Sequence, residues 1–233
     1  MKSDFEILEI VKQTIKKESE SIKKLLDYVD NEFVSAVKEI FNSKGRVIIS
    51  GIGKSAIIGN KIVATLNSTG TPAIFMHAAE AIHGDLGIIQ PDDVVICMSK
   101  SGNTPEIKVL TPLVKSRGNK LIALVGNTDS YLAKSADYVL NCTVEKEACP
   151  NNLAPTSSTT AQLVLGDALA VALLYCKNFT AQDFARYHPG GSLGKRLYLK
   201  VSDLYVKNEK PQVSLSTPLR DTLMEITSKR LGC

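Results

Sequence analysis

Residues 47–66 read VIISGIGKSAIIGNKIVATL, and this stretch sets the pattern of the chain: a β-branched run, a glycine turn and a helical stretch. The pattern recurs in residues 94–116, VVICMSKSGNTPEIKVLTPLVKS. Strands that alternate with helices are typical of parallel βαβ units, and nearly continuous apolar runs are typical of strands covered on both faces. We therefore predict an α/β fold, a doubly wound five-stranded parallel sheet flanked by helices. The predicted strands are residues 47–50, 73–76, 94–98, 121–125 and 138–141, and the helices between them are 55–66, 104–116 and 131–135.

Helical segments flank this alternating region. Residues 4–42 have apolar positions at helical spacing without a glycine or proline, which predicts one helix or a helical hairpin. Residues 158–177 predict a long helix that is apolar on all sides, and such a helix is buried in the core or against another subunit. A short helix is predicted at 181–186. From residue 201 the pattern is that of a linker with a short strand and then a helix, so we predict one domain over 1–200 and a separate segment over 201–233.

The composition excludes several classes of protein. Of the 233 residues, 44% are hydrophobic and 22% are charged, which rules out a disordered chain, a collagen-like repeat and a disulfide-rich miniprotein. Tryptophan is absent and only 6% of the residues are aromatic, so we expect small aliphatic side chains to fill the core. The 28 basic and 24 acidic residues give a net charge of +4, which does not favour a nucleic-acid partner and suits a small anionic substrate.

The cysteines and the apolar stretches predict a soluble cytoplasmic protein. The five cysteines are an odd number without CxxC spacing, which fits a reducing compartment. The first residues lack the apolar region of a signal peptide. The most apolar stretch, residues 163–175, is interrupted by Gly166 and Asp167 and is too short to span a bilayer, so we expect no membrane partner.

The turn after the first predicted strand, SGIGKSA, holds the first candidate site. Ligands of open parallel sheets bind at the carboxyl ends of the strands, where Ser50 and Lys54 lie. Two glycines permit a tight turn, and the following helix presents free N–H groups. The motif has neither the Walker A nor the GxGxxG spacing, so by itself it fits a structural turn as well as a binding site.

The turn after the third predicted strand, MSKSGNTPE, favours a phosphate site more strongly. Ser99, Ser101 and Thr104 surround Gly102 at the predicted N-terminus of a helix. Hydroxyls together with free backbone N–H groups are what a phosphate monoester needs. A simple helix N-cap would need only one hydroxyl. Glu106, in the first helical turn, either complements the helix dipole or faces the substrate.

The histidines and the carboxylates after the fifth strand are weaker signals. His77 and His83 are six residues apart, which is not the i, i+4 spacing of a helical metal pair, and His188 lies beside the chain reversal predicted by YHPGG. Glu147 lies in the loop EKEACP, where a carboxylate is commonly solvated. The strand ends thus carry hydroxyls, a lysine, carboxylates and histidines without a nucleotide or redox motif, which suits a sugar phosphate and acid–base chemistry.

Four segments together resemble a sugar isomerase (SIS) domain, and in particular the D-arabinose 5-phosphate isomerases of the KdsD/KpsF/GutQ type. The resemblance covers about residues 5–200 and rests on GIGKSAIIGNKIVATLNSTGTPAIFMHAAEAIHGDLGII, SKSGNTPEI, KEACPNNLAPTSSTTAQLVLGDALAVALL and FARYHPGGSLGKRL. It implies a flavodoxin-like three-layer sandwich and interconversion of D-ribulose 5-phosphate and D-arabinose 5-phosphate, the first step toward the sugar acid Kdo of lipopolysaccharide or capsule. It also implies a homotetramer that requires no cofactor and in which bound zinc is inhibitory.

The resemblance also assigns roles to residues. It implies catalytic roles for Lys54, Glu106, Glu147 and His188, zinc contact for His77, and substrate contact for Gly70, Thr71 and His83. Isomerisation through an enediol needs a base, and we assign it to Glu147 or Glu106, with Glu147 slightly ahead because a loop carboxylate can close over the sugar. Lys54 would stabilise the oxyanion, His188 would assist ring opening or move the hydroxyl proton, and the hydroxyls would hold the phosphate.

Two other functions stay open at this point. SIS domains also serve as sugar-phosphate sensors in transcriptional regulators, which normally carry a helix-turn-helix domain ahead of the SIS domain; the roughly forty N-terminal residues here are too few for one. A relative that acts on another phosphosugar is the second alternative, against which the KEACP and HPGGSLG segments weigh. Residues 201–233 resemble the start of a CBS module, which relatives carry as a tandem pair, and we expect activity not to need the part that is missing.

Overall fold

The computed structural model describes residues 1–198 and 211–229, and the five strands in this part of the chain form one parallel sheet. The strand order is β2-β1-β3-β4-β5, which is the flavodoxin-like doubly wound order. The predicted fold class is therefore confirmed, and every strand bound lies within one residue of its prediction. The strands are β1 (Val47–Gly51), β2 (Ala73–His77), β3 (Val94–Ser99), β4 (Lys120–Val125) and β5 (Tyr138–Asn141).

The helices predicted up to residue 179 are confirmed with small shifts of their bounds, and one four-residue helix, Ala78–Ala81, was not predicted. Of the two alternatives predicted for residues 4–42, two helices are present, because the chain turns at Leu25–Asp27 and restarts at Asp30, whose carboxylate accepts hydrogen bonds from the N–H groups of Glu32 and Phe33. The helices are α1 (Asp4–Lys24), α2 (Asn31–Asn42), α3 (Gly53–Ser68), α4 (Ala78–Ala81), α5 (Pro105–Ser116), α6 (Tyr131–Ser135) and α7 (Ser157–Cys176), with a 3-10 turn at Asp85–Ile88.

Small aliphatic side chains fill two layers of core, one on each face of the sheet. The first layer packs α2, α3 and α7 onto the sheet, and the second packs α4, α5 and α6 onto the opposite face. Because strand side chains alternate, Ile49 of β1 lies in the first layer and Ile48 in the second. The expected aliphatic core is therefore confirmed, and both faces of the sheet are covered.

Helix α7 is apolar on all sides but is buried on one. Ala161, Leu165 and Leu169 pack into the first core layer, whereas Tyr175 on the outer side is 82% exposed. With 20 residues, α7 is long and apolar enough to cross a membrane by length and composition, which corrects our expectation from the shorter apolar stretch. Its buried face is that of a core helix, and Gly166 on this face lets α3 approach closely.

Helix α2 lies along the outer edge of the sheet, beside β5. Glu32 accepts a hydrogen bond from the backbone N–H of Val139 (2.8 Å), and Glu39 accepts one from the hydroxyl of Tyr138 (2.8 Å). Polar groups of the edge strand are thus satisfied by side chains of a helix.

The chain divides into two compact units, Met1–Phe179 and Thr180–Cys233, so the division falls earlier than the boundary near residue 200 that we predicted. The helices in the described part of the second unit are α8 (Ala181–Tyr187), α9 (Ser192–Tyr198) and α10 (Leu219–Lys229). The sequence pattern did not predict α9, because its start follows a proline and two glycines. The predicted segment over 201–233 is described only over residues 211–229, which contain its helix as α10; residues 201–210 lie outside the described residues, and the short strand stays a prediction.

Candidate active site

A cavity of about 260 Å³ lies at the carboxyl ends of β1 and β3. The connections after these neighbouring strands leave toward opposite sides of the sheet, so this point is the topological switch at which open α/β sheets bind ligands. Three segments build the walls: the turn after β1, the turn after β3 and the start of α7. The lining residues are Ile52, Lys54, Ser55, Met98, Ser99, Lys100, Ser101, Thr104, Pro155, Ser158 and Thr159.

A larger cavity, of about 540 Å³, lies between the end of α1 and the residues after β5. Its walls include Lys24 and Glu145, which form an ion pair, but none of the site residues predicted from the sequence. Size alone therefore does not identify the active site, and the smaller cavity at the switch point holds the chemistry-bearing side chains.

The first wall is the N-terminus of α3. Gly53 takes up a left-handed conformation (φ 58°), which the sharp entry from β1 into α3 requires. Ile52 occupies the N-cap position without a side-chain cap, so the first N–H groups of α3 remain available to a ligand. Lys54, exposed in the first turn, places a positive charge at the same end of the helix.

The second wall is the loop from Ser99 to Thr104, and its shape is fixed by contacts with α6. Gly102 has φ 64°, and a Cβ at this position would lie 2.0 Å from Oγ of Ser130. The N–H of Gly102 donates to Oγ of Ser99 (3.0 Å), and the side chain of Asn103 accepts from the N–H of Tyr131 (3.0 Å). The loop therefore holds its backbone in one conformation before any ligand binds.

Thr104 is the strongest sign of a ligand in this loop. Its Oγ1 is buried, lines the cavity and has no hydrogen-bond partner among the described residues. Thr104 is the N-cap residue of α5, yet its side chain makes no capping bond, so capping does not explain the hydroxyl. Ser99 and Ser101 line the same cavity, and the three predicted hydroxyls are thus brought together beside the N-terminus of α5.

Glu147 is not the solvated loop carboxylate that the sequence pattern suggested. The residue is only 1% exposed, and its carboxylate accepts five hydrogen bonds. Oε1 accepts from Lys100 Nζ (2.5 Å) and Ser158 Oγ (2.5 Å), and Oε2 accepts from the N–H groups of Thr156 (2.8 Å) and Ser158 (3.1 Å) and from Thr156 Oγ1 (3.2 Å). The carboxylate is held behind the cavity wall and is not free to close over a sugar.

These hydrogen bonds also determine the protonation of Glu147. Burial by itself would raise the pKa of the carboxyl, but the ammonium of Lys100 and the donors of Ser158 and Thr156 outweigh it and lower the pKa to about 2. Glu147 is therefore ionised at neutral pH and is a weak proton acceptor, because a general base works best with a pKa near the working pH.

Lys100 is a cavity residue that the sequence analysis did not single out. Its ammonium pairs with Glu147, and its side chain is 47% exposed toward the cavity that it lines. The partner is 47 residues away along the chain, so no local spacing indicates the pair. The position of Lys100 between Ser99 and Ser101, in a strand-end loop, was the available signal.

Glu106 is the other carboxylate proposed as the base. It is the second residue of α5, two residues after Thr104, and is half-buried. Its carboxylate makes no hydrogen bond or ion pair with the described residues. Glu106 does not itself line the cavity, but, in contrast to Glu147, its carboxylate has no partner among the described residues that would hold it away from a ligand.

Four predicted substrate-contacting residues, Ser50, Gly70, Thr71 and His83, do not line the cavity. Gly70 and Thr71 precede β2 and so lie at the amino end of the sheet, opposite the cavity; Lys177 donates to the carbonyl of Gly70 and to Oγ1 of Thr71 (both 2.8 Å). Ser50 of β1 is fully buried, and its Oγ has no partner among the described residues. A role for these residues in substrate contact stays a prediction.

The histidines after β2 do not form a metal site in the described part of the chain. Nδ1 of His77 accepts the N–H of Ala79 (3.3 Å) and so caps α4, while His83 is exposed just after that helix. Residues 1–198 and 211–229 contain no group of three His, Cys, Asp or Glu side chains that could hold a metal ion. Zinc contact by His77 stays a prediction.

His188 belongs to the second unit and ends α8. Its Nδ1 lies 2.9 Å from the carbonyl oxygen of Phe184, so Nδ1 carries the proton of that hydrogen bond. The imidazole also stacks on the ring of Phe184, with the ring centroids 3.9 Å apart. Both contacts fix the ring and leave Nε2 for proton transfer.

Comparison with known proteins places these features in a family. A family model described as the SIS domain matches residues 39–172. A Pseudomonas aeruginosa protein named arabinose 5-phosphate isomerase KdsD is 52% identical over 233 residues, which are 100% of this chain and 72% of that protein. The protein of the same name in Escherichia coli K12 is 48% identical over 229 residues, 98% of this chain and 70% of that protein. The structure of an E. coli CFT073 protein in complex with arabinose 5-phosphate has 41% identity and a TM-score of 0.77, covering 81% of this chain and 100% of that one.

Proposed function

This chain belongs to the SIS-domain family and, within it, to the arabinose 5-phosphate isomerases, and we propose that it interconverts D-ribulose 5-phosphate and D-arabinose 5-phosphate. The observation that carries the proposal is the cavity at the switch point, where the hydroxyls of Ser99, Ser101 and Thr104 meet the N-termini of two helices. The unpartnered Thr104 hydroxyl and the free N–H groups supply the donors that a phosphate monoester requires. A phosphate bound there orients the sugar for chemistry at C1 and C2.

Glu106 is the proposed base. In ribulose 5-phosphate it removes a proton from C1, which gives an enediolate, and it returns the proton to C2 to form the aldose. The low pKa and five hydrogen bonds of Glu147 make that carboxylate a poor acceptor, which reverses the preference drawn from the sequence. Lys54 is proposed to stabilise the negative charge that develops on O2, because this lysine lines the same cavity.

His188 is proposed to assist ring opening of the aldose and to move protons between the hydroxyl oxygens. The hydrogen bond from Nδ1 to Phe184 fixes the tautomer, so Nε2 is the atom that exchanges the proton. The proposed reaction requires no cofactor, since a carboxylate, an ammonium and an imidazole perform each proton and charge transfer.

The direct test is to follow ribulose 5-phosphate by NMR in D2O. The aldose should appear with deuterium at C2, because the base exchanges its proton with solvent between the two transfers. If neither arabinose 5-phosphate nor exchange at C1 or C2 appears, the isomerase proposal fails. Hexulose and heptulose phosphates in the same assay test the alternative phosphosugars, and binding without turnover would favour the sensor function.

The Glu106→Gln variant tests the base. The substitution keeps the size of the side chain and removes its basicity, so turnover should fall by about 100-fold or more. Glu145→Gln, on an exposed glutamate outside this cavity, serves as the matched control and should retain full turnover. Wild-type turnover in Glu106→Gln would remove Glu106 from this role.

The remaining proposals concern the location, the oligomeric state, the pathway and the partners of the enzyme. We propose a cytoplasmic homotetramer that supplies arabinose 5-phosphate for the sugar acid Kdo of lipopolysaccharide or capsule, with neither nucleic acid nor membrane as a partner. The exposed apolar side chains of α1 and α7 support an interface between subunits. We further propose that residues 201–233 begin a CBS module and that zinc, where it binds, inhibits.

A further inference from the structure

The backbone of Lys100 is fixed by its neighbours, and its ammonium has more N–H donors than acceptors among the described residues. Its carbonyl oxygen accepts the N–H of Gly126 at the end of β4 (3.1 Å). A Cβ at Gly126 would lie 2.9 Å from that oxygen and 3.4 Å from Cγ of Lys100, so the glycine leaves room for the lysine stem. The ammonium has three N–H donors, and its acceptor among the described residues is Oε1 of Glu147.

The Lys100–Glu147 pair differs from the surface ion pairs of the same unit. Lys61 and Asp167 form a pair in which both side chains are about half exposed (46% and 42%). In the Lys100 pair the lysine side chain is 47% exposed but the glutamate is fully buried. A buried carboxylate with four further hydrogen bonds cannot follow a moving partner, so it holds the ammonium at one place in the cavity wall.

We propose that Lys100 is a further substrate-binding residue, whose ammonium donates to an anionic oxygen of the sugar phosphate, and that Glu147 is the positioning residue that holds Lys100 for this contact. Lys100 lines the cavity together with its neighbours Ser99 and Ser101, whose hydroxyls belong to the proposed phosphate site. A point charge with free donors suits a phosphate oxygen. This inference rests on the proposed function in taking a sugar phosphate as the ligand.

The test compares binding with turnover in matched variants. Lys100→Met should raise the Kd for inorganic phosphate and for arabinose 5-phosphate by about tenfold or more, the size of one lost charge-assisted hydrogen bond. Calorimetry measures these Kd values independently of turnover. The KM for ribulose 5-phosphate should rise by a larger factor than kcat falls. Lys61→Met, which breaks a pair of similar lysine exposure away from the cavity, should leave all these values unchanged.

A second variant keeps the test valid if Lys100→Met fails to fold, since that change leaves a buried carboxylate without its cation. The double variant Lys100→Met/Glu147→Gln has no buried charge and should show the same weak binding. Lys100→Arg should recover much of the affinity, because it restores the cation. Glu147→Gln keeps the lysine but loosens it, so its Kd should lie between those of wild type and the double variant.

The outcomes separate the two proposals. If the double variant has the wild-type Kd for arabinose 5-phosphate and the wild-type KM for ribulose 5-phosphate, the role of Lys100 is refuted while the isomerase assignment stands. If wild type binds phosphate in a Lys100-dependent way but does not isomerise ribulose 5-phosphate, the binding role stands and the isomerase assignment fails. If wild type binds neither ligand, both are refuted.

Discussion

The carboxylate of Glu147 hydrogen-bonds both to Lys100, in the loop after β3, and to Ser158, in the first turn of α7. The stability that these hydrogen bonds contribute depends on whether the carboxylate is ionised. The pKa in the folded protein, about 2, lies below the ordinary value of 4.5. A group of this kind contributes its full stability above the unfolded pKa and loses it as the pH falls toward the folded pKa. Lowering the pKa from 4.5 to about 2 corresponds to roughly 3 kcal/mol of unfolding free energy.

We expect urea unfolding of wild type to show this contribution in full at pH 6–7 and to lose it progressively between about pH 5 and pH 2. Asp93 and Asp137 titrate in the same direction, because their ion pairs with Arg46 and Lys115 outweigh the opposing effect of burial on their pKa values. The difference between wild type and Glu147→Gln isolates Glu147. That difference should shrink toward pH 2, whereas the exposed control Glu80→Gln should differ little from wild type at any pH. A difference for Glu147→Gln that is independent of pH would contradict the assignment.

The residues that the sequence could identify are those placed by local pattern. Ser99, Ser101 and Thr104 follow a predicted strand, and parallel strands bring their carboxyl ends to one edge, so the pattern locates the cavity. The burial of Glu147 and its pairing with Lys100 depend on how the loop before α7 folds back on the loop after β3. No propensity or spacing encodes a contact of that kind, so the sequence preferred Glu147 as the base, and only the three-dimensional structure shifts the proposal to Glu106.

At the scale of elements, Gly102 connects the loop after β3 to α6. Alanine at this position must take up a left-handed φ and place its Cβ within 2.5 Å of Cβ of Ser130. The conformational strain costs about 1 kcal/mol, and the steric overlap costs about 1–3 kcal/mol more. We expect Gly102→Ala to lower the free energy of unfolding by about 2–4 kcal/mol and to weaken binding of arabinose 5-phosphate, since the hydroxyl loop must shift.

Gly118→Ala is the control, because Gly118 also has positive φ (82°) but no atom within 4 Å of the added Cβ. It should lose only about 1 kcal/mol and bind normally. Thermal or urea unfolding together with calorimetry checks both variants. Equal destabilisation of the two would show that contact with Ser130 contributes nothing.

Strands and helices could be predicted from the sequence where the residues within the segment determine its conformation. The β-branched runs and the helical spacing between them located the five strands, whose interiors are covered on both faces. For residues 4–42 the apolar spacing left one helix and a helical hairpin open, since the segment lacks glycine and proline; the signal that favoured two helices was Asp30, a good N-cap residue ahead of a new apolar period. Helix α9 was not predicted, because the glycines before it suggested a loop.

At the scale of the whole molecule, the exposed apolar face of α1 predicts that copies of the chain associate through this helix. None of the residues of α1 is buried in the single chain, and Leu8, Val11 and Ile15 share one exposed face at i, i+3 and i+7 spacing. Wild type should therefore have the mass of a tetramer in light scattering after gel filtration. Leu8→Glu/Val11→Glu should shift it to smaller species, because burying carboxylates at an apolar contact is unfavourable. Lys12→Gln, on the same helix, should keep the tetramer, and a double variant of unchanged mass would exclude α1 from the interface.

The placement of α2 beside β5 also has a consequence for the protein at high concentration. A bare strand at the border of a sheet offers its peptide groups to any extended chain, and this is how folded proteins template fibres. Here the carboxylate of Glu32 already occupies the N–H of Val139, and Glu39 engages Tyr138 beside it. An intruding strand would have to displace a charged side chain and the helix that carries it. At Val139 this edge is thus protected against pairing with a further strand, which opposes strand-by-strand aggregation there.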